Sequence, residues 1–225
     1  MEPYLSALAD LFYPQRCVGC ERRASDLLCR DCFEALPRVG APSCRRCGAP
    51  TAFETFVCEE CKGVDFGFES AQAPLMYEGV GKQIVHVLKY KSYTKVVDRL
   101  MTPLLLEVVR GRFDAVVPVP LHRSRLRRRG FNQAGLMAKS LAQEINSSLS
   151  NTLEVVRETR DQVELSGAGR RANVKDAFGA RGRTGGRVLL VDDVFTTGAT
   201  MSECAGVLVR AGAAEVHAVS LCRAV

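Results

Sequence analysis

The chain has 225 residues, of which 47% are hydrophobic and 25% are charged, with a formal net charge of +6 at pH 7. This length is sufficient for one ordinary domain with a full hydrophobic core and a smaller module beside it. No apolar run approaches the ~20 residues that a membrane-spanning helix needs, so we predict no membrane insertion.

The amino-terminal segment does not fit a secretory signal peptide. Its apolar patch, residues 5–13, is interrupted by Asp10, and Glu2 stands where a signal peptide carries basic residues. We therefore expect a cytoplasmic protein, in which thiols stay reduced.

Eight of the ten cysteines form four C-x-x-C pairs within the first 63 residues. One such turn presents two thiolates to a cation, and two turns complete a tetrahedral zinc site with Zn–S distances of ~2.3 Å. The segment has few large aliphatic residues, so we expect metal binding to fold it. Residues 1–63 are thus predicted to be a double zinc ribbon with two structural Zn²⁺ ions, held by Cys17, Cys20, Cys29, Cys32, Cys44, Cys47, Cys58 and Cys61.

Other chemistries fit these cysteines less well. A disulfide framework conflicts with the missing signal peptide, and a thioredoxin-like site needs one C-x-x-C pair between a strand and a helix rather than four pairs. Iron–sulfur clusters also use such ligands, but four evenly placed pairs are more typical of zinc ribbons. Sequential pairing, first with second and third with fourth, is favoured over interleaved pairing, although spacing alone does not decide it. Cys204 and Cys222 are expected to be buried thiols.

Strand and helix patterns alternate after residue 63, which is typical of a parallel sheet covered by helices. The predicted strands span residues 71–77, 113–119, 153–156, 187–191 and 215–221. The predicted helices span residues 82–90, 95–110, 131–145 and 200–211. Residues 64–225 are therefore predicted to form one α/β domain.

Five arginines follow the predicted strand 113–119 within seven positions: Arg123, Arg125, Arg127, Arg128 and Arg129. Because Pro118 and Pro120 end that strand, we expect the arginines to lie on a loop at the carboxyl edge of the sheet. A charge run is usually a solvated surface. On this edge, however, arginine can bind a diphosphate through bidentate hydrogen bonds, and Arg125 and Arg129 are our candidates.

Residues 187–200, RVLLVDDVFTTGAT, contain the strongest indication of a ligand site. The apolar run predicts a strand buried on both faces, with Asp192 and Asp193 at its carboxyl end. Two carboxylates there can accept hydrogen bonds from sugar hydroxyls or hold a divalent cation. The turn that follows leads into a helix whose amino terminus can bind a phosphate. Each part alone fits a plain strand, turn and capped helix, whereas the combination predicts a ribose-phosphate site.

The same segment resembles the phosphoribosyl-diphosphate signature of type I phosphoribosyltransferases, in which an acidic pair and TTGAT follow an apolar run. The resemblance implies a type I phosphoribosyltransferase-like parallel sheet with flanking helices. It implies that Asp192 and Asp193 bind the ribose and form the catalytic pair. The implied reaction is Mg²⁺-assisted displacement of diphosphate from 5-phosphoribosyl 1-diphosphate (PRPP). The implied 5-phosphate-binding residues are Thr196, Thr197, Gly198, Ala199 and Thr200.

Nearly the whole chain is similar to the ComF family. VPVPL and RGFNQ, within residues 117–133, resemble that family's strand end and the segment after it, and the cysteine module resembles its amino-terminal double zinc ribbon. Residues 157–178 resemble the family's loop between core strands, which in type I phosphoribosyltransferases folds over the diphosphate as a lid. The resemblance implies a role in natural transformation, with single-stranded DNA or a competence helicase-type protein as partners.

A non-catalytic module that handles single-stranded DNA is the alternative to a phosphoribosyl-transferring enzyme. Outside residues 1–63 the chain has a net charge of +7, which suits a nucleic-acid backbone as well as PRPP. Apart from Phe131, no aromatic stacking platform lies near the arginines. No pattern indicates a nucleobase pocket, so the sequence predicts a ligand but not an acceptor.

Overall fold

The protein is built around a parallel β-sheet. Its structure is a computed structural model and describes residues 15–91, 93–157 and 172–224. The strands are β1 (Ser70–Gln72), β2 (Leu75–Met76), β3 (Ala115–Pro118), β4 (Ser148–Leu149), β5 (Leu153–Val155), β6 (Phe178–Ala180), β7 (Arg187–Phe195) and β8 (Glu215–Arg223). Six of them form the parallel sheet in the order β1-β8-β7-β3-β4, with β2 also paired to β8. Strands β5 and β6 form a separate antiparallel pair.

Helices cover both faces of this sheet. They are α1 (Arg30–Glu34), α2 (Gly79–Lys91), α3 (Thr102–Leu106), α4 (Arg123–Arg129), α5 (Gln133–Glu144) and α6 (Ala199–Arg210). Along β7, Leu189 and Val191 join a hydrophobic cluster with residues of α2, α3 and α5, while Val188 and Leu190 join a second cluster with residues of α6. Burial on both faces explains the unbroken apolar run in β7. The predicted α/β fold class is confirmed.

The two ribbons pack into different hydrophobic clusters. Val18 and Leu27 of the first ribbon lie in the cluster that contains α2. Cys44, Cys47 and Cys61 of the second ribbon lie in the cluster that contains α6. Each ribbon therefore borders a different face of the sheet.

Two predicted elements are interrupted by proline. The strand expected at 71–77 is split into β1 and β2 around Pro74, which has no N–H for pairing. The helix expected at 95–110 is a π-helical turn, Val97–Met101, followed by α3, with Pro103 near the junction. The sheet is preserved because β1 and β2 both pair with β8.

Three further predictions need correction. The strand expected at 153–156 is β5, which lies outside the main sheet because β4, a strand that the pattern did not indicate, occupies the edge beside β3. The arginine run is helix α4 rather than a loop. Strand β7 continues through the acidic pair to Phe195, since β8 pairs with it along that whole length. Most of the predicted lid and the apolar patch at 5–13 lie outside the described residues. No helix in the described part of the chain is long and apolar enough to cross a bilayer.

Candidate functional site

The eight C-x-x-C cysteines form two separate tetrathiol clusters. Cys17, Cys20, Cys29 and Cys32 form one, and Cys44, Cys47, Cys58 and Cys61 form the other, with all Sγ atoms of a cluster within 4.8 Å of one another. The Sγ atoms of Cys20 and Cys29 are 3.7 Å apart, and those of Cys47 and Cys58 are 3.8 Å apart. Such separations fit a tetrahedral Zn²⁺ site with Zn–S bonds of ~2.3 Å. The sequential pairing is confirmed.

Nearby N–H groups favour thiolate at one or more cysteines of each cluster, whereas burial raises the pKa of other cysteines in both clusters. The Nε of Arg22 donates to Cys20 Sγ at 3.3 Å, and this hydrogen bond lowers the pKa of Cys20 to about 6. Burial raises the pKa of Cys44, but the backbone N–H groups of Cys47 and Cys58 outweigh it and lower that pKa to about 7. Since thiolate rather than thiol ligates metal, each cluster contains a cysteine that ionises readily to bind zinc. Cys204 and Cys222 are fully buried elsewhere, as predicted.

A cleft of about 620 Å³ opens at the carboxyl ends of β3 and β7. The end of β7 and the start of α6 form one wall, and residues of α4 and the start of α5 form another. Lys89 reaches the cleft from α2. This edge of an open α/β sheet is the usual place for a ligand, because loops diverge there.

Asp192 and Asp193 stand side by side in the cleft but have different environments. Asp193 pairs with Lys89, whose Nζ lies 2.9 Å from Oδ1. Asp192 Oδ1 accepts from the backbone N–H of Asp193 at 2.8 Å. Burial, and then the charge of Asp193, raise the pKa of Asp192 to about 7. The two carboxylates therefore differ. Asp193 forms a close ion pair, whereas Asp192 accepts a backbone hydrogen bond and would be stabilised in its ionised form by a bound cation.

Lys89 is a site residue whose role the sequence interpretation missed. Burial lowers its pKa, but the charge and hydrogen bond of Asp193 outweigh that effect and raise it. Lys89 therefore stays charged next to the acidic pair. A signal was available, because Lys89 follows Val85 by four residues and so lies on the apolar face of α2. A charged side chain on a buried helix face usually has a charged partner.

The turn between β7 and α6 borders the cleft through Thr196, Gly198, Ala199 and Thr200. Gly198 has a φ of +75°, and a Cβ there would lie 2.6 Å from Phe195 Cζ, so this position requires glycine. Thr197 instead turns its hydroxyl to the backbone, where Oγ1 accepts from the N–H of Ala199 at 3.4 Å. The helix amino terminus thus faces the cleft, as an anion site requires.

Helix α4 divides the arginine run between two surfaces. His122 caps its start by accepting from the Ser124 N–H, and Gly130, with a φ of +82°, ends it. Arg125 and Arg129, four residues apart, line the cleft. The other three arginines are exposed: Arg123, Arg127 and Arg128. Helical spacing, which a loop lacks, is the reason for this division.

The RGFNQ segment builds the wall opposite the acidic pair. Asn132 caps α5 by accepting from the Ala134 N–H at 3.1 Å, while its Nδ2 donates to the Val119 carbonyl at 2.9 Å. Arg129 Nη1 donates to Gln133 Oε1 at 3.1 Å. Among the described residues, Arg129 Nε and Gln133 Nε2 are buried donors without a hydrogen-bond partner. Two orphaned donors beside a cleft are what an anionic ligand would satisfy.

Comparisons with known proteins identify two modules in the chain, in agreement with the cysteine clusters and the α/β sheet. A model of the double zinc ribbon domain matches residues 8–62, and a model of the phosphoribosyl transferase domain matches residues 89–224. Competence protein F of Haemophilus influenzae is 29% identical over 229 residues, which cover 95% of this chain and 99% of that protein. The chain belongs to the ComF family.

Other relatives of this ComF family chain carry names from DNA metabolism and competence. DNA utilization protein YhgH of Salmonella typhimurium is 34% identical over 205 residues, covering 87% of this chain and 90% of that protein. Competence protein ComFC of Bacillus subtilis is 23% identical over 213 residues, covering 89% and 86% respectively. These alignments therefore include residues of both modules of the chain and span most of each relative.

Proposed function

We propose that the cleft binds PRPP together with Mg²⁺. The observation that carries this proposal is the meeting of three features in one cleft: the acidic pair, a glycine-containing turn at a helix amino terminus, and two arginines on the facing wall. PRPP has vicinal hydroxyls, a 5-phosphate and a 1-diphosphate. Its chemistry therefore matches the three features in kind.

Each feature has one part of the ligand to bind. Asp192 and Asp193 would accept hydrogen bonds from the ribose hydroxyls, and the ion pair with Lys89 would hold the Asp193 carboxylate in place for this role. The turn from Thr196 to Thr200 would hold the 5-phosphate at the start of α6. The diphosphate would lie against α4, where it would provide acceptors for Arg125 and for the orphaned donors of Arg129 and Gln133.

The acidic pair also suits a divalent cation that accompanies the diphosphate. Mg²⁺ prefers carboxylate, phosphate and water oxygens. The raised pKa of Asp192 reflects burial beside a like charge, and added positive charge would relieve that repulsion. When bound, Mg²⁺ would neutralise charge on the leaving diphosphate.

Phosphoribosyl transfer is the reaction that this arrangement would support. A nucleophile on the acceptor forms a bond to the anomeric carbon, the bond from that carbon to the diphosphate oxygen breaks, and diphosphate leaves with the electron pair. Asp192 and Asp193 would hold the ribose near the developing positive charge, and the arginines would stabilise the departing group. A screen of acceptors for diphosphate release tests for this reaction.

The relatives named for competence and DNA utilization lead us to infer that the chain acts in such processes. A specific observation also favours a second candidate function. Arg123, Arg127 and Arg128 are exposed on α4 outside the cleft lining, where they could contact the backbone of single-stranded DNA. A competence helicase-type protein is a further partner that the family membership suggests.

Two matched double variants separate the candidates, because each removes two positive charges from the same helix. Replacing Arg125 and Arg129 with Ala should weaken PRPP binding, measured by calorimetry with Mg²⁺, by at least about tenfold. Replacing Arg127 and Arg128 with Ala should change it by less than about twofold, because exposed charges are screened. Single-stranded DNA is titrated at two salt concentrations with both variants and the unchanged protein.

The outcomes point in different directions. Equal losses of PRPP affinity in the two variants, or no PRPP binding by the unchanged protein, would refute the PRPP proposal. If the Arg127 and Arg128 variant loses DNA affinity, and the slope of log affinity against log salt flattens by about 0.7 per phosphate contact, the exposed face of α4 binds DNA. That result beside intact PRPP binding by the Arg127 and Arg128 variant would support both functions.

A further inference from the structure

Arg223, at the end of β8, lies between the second tetrathiol cluster and the proposed phosphate-binding turn. Its side chain is only 4% exposed. On one side its Nη2 lies 3.9 Å from Cys47 Sγ and 3.9 Å from a carboxylate oxygen of Glu60. On the other side its Nη1 donates to the carbonyl of Thr196 and, at 2.7 Å, to the carbonyl of Ala224. One buried guanidinium thus touches both regions.

The buried charge of Arg223 needs compensation that the zinc-loaded cluster would supply. A guanidinium is always ionised, and burying it without a nearby negative charge is costly. The Glu60 side chain is 72% exposed, so water screens much of its charge. Four thiolates around one Zn²⁺ carry a formal net charge of about −2 at a buried position. Cys47 is 2% exposed, so this charge acts on Arg223 with little screening.

The contacts on the other side of Arg223 set the shape of the turn. The guanidinium lies 4.5 Å from the centre of the Phe195 ring. That ring in turn fills the space next to Gly198, where a Cβ would be 2.6 Å from Phe195 Cζ. Arg223 therefore fixes the Thr196 carbonyl and the ring that supports the glycine at the start of α6.

The first cluster has a different arrangement. Its cysteine-bound arginine is Arg22, which donates to Cys20 Sγ and pairs with Asp31 at 2.7 Å. The side chain of Arg22 is 64% exposed, and these partners both lie within the first ribbon. The two clusters thus provide a test site and an internal control in the same chain.

We propose that Arg223 is a positioning residue that couples zinc occupancy of the second cluster to the geometry of the turn from Thr196 to Thr200. With zinc bound, the thiolates of the second cluster would hold the guanidinium through their negative charge, and the guanidinium holds the turn. The first cluster takes no part in this coupling. Only the consequence for PRPP affinity rests on the proposed function, because the link between zinc and the turn is independent of ligand identity.

The first measurement needs no variant. Hydrogen exchange of a peptide that covers Phe195 to Thr200 is followed with zinc bound and after a chelator has removed it. Exchange of the turn should rise at least about tenfold when the second cluster empties, while amides in the middle of β7 stay protected. A protein that lacks Cys20 identifies which phase of zinc release belongs to the second cluster. Unchanged exchange of the turn after complete zinc loss would overturn the proposal.

Variants of Arg223 then separate positioning from general ribbon stability. With zinc bound, Arg223→Met should raise exchange of the turn while exchange of the ribbon remains as in the unchanged protein, and zinc should leave the second cluster at least about tenfold faster. Arg223→Lys keeps the charge but not the forked donors, so zinc release should stay within about threefold of normal while the turn still exchanges faster. Arg22→Met, the matched control, should affect only the first cluster. Equal effects of Arg223→Met on both clusters would contradict the proposal.

A last measurement, of zinc binding in the presence of PRPP and Mg²⁺, distinguishes failure of the coupling from failure of the PRPP proposal. By linkage, PRPP with Mg²⁺ should raise the zinc affinity of the second cluster and not that of the first, so that a chelator releases less zinc from the second cluster at equilibrium. If PRPP does not bind but the turn still responds to zinc, the coupling stands and the proposed ligand is wrong. If PRPP binds and neither the turn nor zinc release responds, the coupling is wrong and the proposed ligand stands.

Discussion

The ribbons and the cleft are organised by different forces. In the ribbons, each metal site uses four thiols that lie within 18 residues of one another, and the backbone around them makes short turns. In the cleft, Lys89, Arg125 and Asp193 come from segments that are far apart in the chain. The ribbons are therefore held by local covalent spacing and metal, whereas the cleft is held by a folded sheet that brings buried charges together.

This difference predicts which treatment or substitution should affect each region most. Metal removal should affect the ribbons most, since the binding free energy of a structural zinc ion is folding free energy. Charge substitutions in the cleft should alter ligand affinity and leave the zinc content unchanged. Arg223 is the exception that we propose, because it belongs to the sheet and touches both regions.

The largest effect is expected from loss of a zinc ligand. Purified without chelator, the chain should contain two equivalents of zinc by elemental analysis. Cys44→Ser should unfold the second ribbon, because a structural zinc site supplies about 10–16 kcal/mol in isolated modules. Hydrogen exchange should increase in residues 44–61 and remain slow in the centres of β7 and β8. Clearly fewer than two equivalents, or mostly iron, would contradict the double zinc ribbon, and a fully unfolded sheet would remove the contrast between the regions.

A smaller effect is expected in the cleft. Asp193→Asn should weaken PRPP binding with Mg²⁺ by about 1.5–3 kcal/mol, the cost of losing a charge-assisted hydrogen bond to a ribose hydroxyl. Calorimetry measures the affinity, and elemental analysis should still give two zinc ions. Glu215→Gln is the matched control, because Glu215 is an exposed carboxylate at the opposite, amino end of β8. Equal affinities in the two variants would mean that Asp193 has no role in binding.

The effect of pH should be specific to Asp192. Because its pKa is raised to about 7, the carboxyl is mostly protonated at pH 6 and mostly ionised at pH 8. PRPP affinity should therefore rise by up to about tenfold over this interval. The ligand's own phosphate also titrates there, so Asp192→Asn serves as reference, and its pH dependence should be the weaker one. Identical pH profiles would exclude the assigned role.

The raised pKa of Asp192 also predicts how the free energy of unfolding depends on pH. The predicted change is opposite in direction to that of PRPP affinity. The unfolded Asp192 carboxyl ionises near pH 3.8, whereas the folded one holds its proton up to about pH 7. Between these values the folded state binds more protons than the unfolded state. The contribution of Asp192 to the free energy of unfolding should therefore decrease as pH rises from about 4 to 7. Denaturant titrations of the unchanged protein and Asp192→Asn measure it; parallel curves would contradict it.

The smallest effect is expected from the ion pairs that join the first ribbon to the rest of the protein. Arg99 lies 3.1 Å from Asp26, and both side chains are more than half exposed. Arg99→Ala should lower the free energy of unfolding by less than about 1 kcal/mol, because water and salt screen such a pair. Thermal unfolding at low and high salt checks this. A large loss would mean that surface charge, rather than apolar packing, anchors the first ribbon.

The sequence by itself determined the parts of this protein whose physics is local. Four C-x-x-C turns predict two zinc sites wherever they fold, because each turn already holds two ligands together. The unbroken apolar run before Asp192 predicts a strand buried on both faces, and Thr196 to Thr200 predict a turn into a helix. These elements lie in the expected order, although β7 extends four residues beyond its predicted end, through the acidic pair, and the helix begins at Ala199.

Only the tertiary structure decided how distant charges meet. The sequence pattern predicted five arginines on a loop, but His122 and Gly130 cap that segment as a helix. Because the segment is helical, Arg125 and Arg129 lie on one side of it and line the cleft. Lys89 pairs with Asp193, and Arg223 contacts both Cys47 and Thr196. Each of these contacts joins segments that are more than 25 residues apart in the chain. Such pairs leave no periodic pattern in a single sequence, because they depend on which surfaces the sheet brings together.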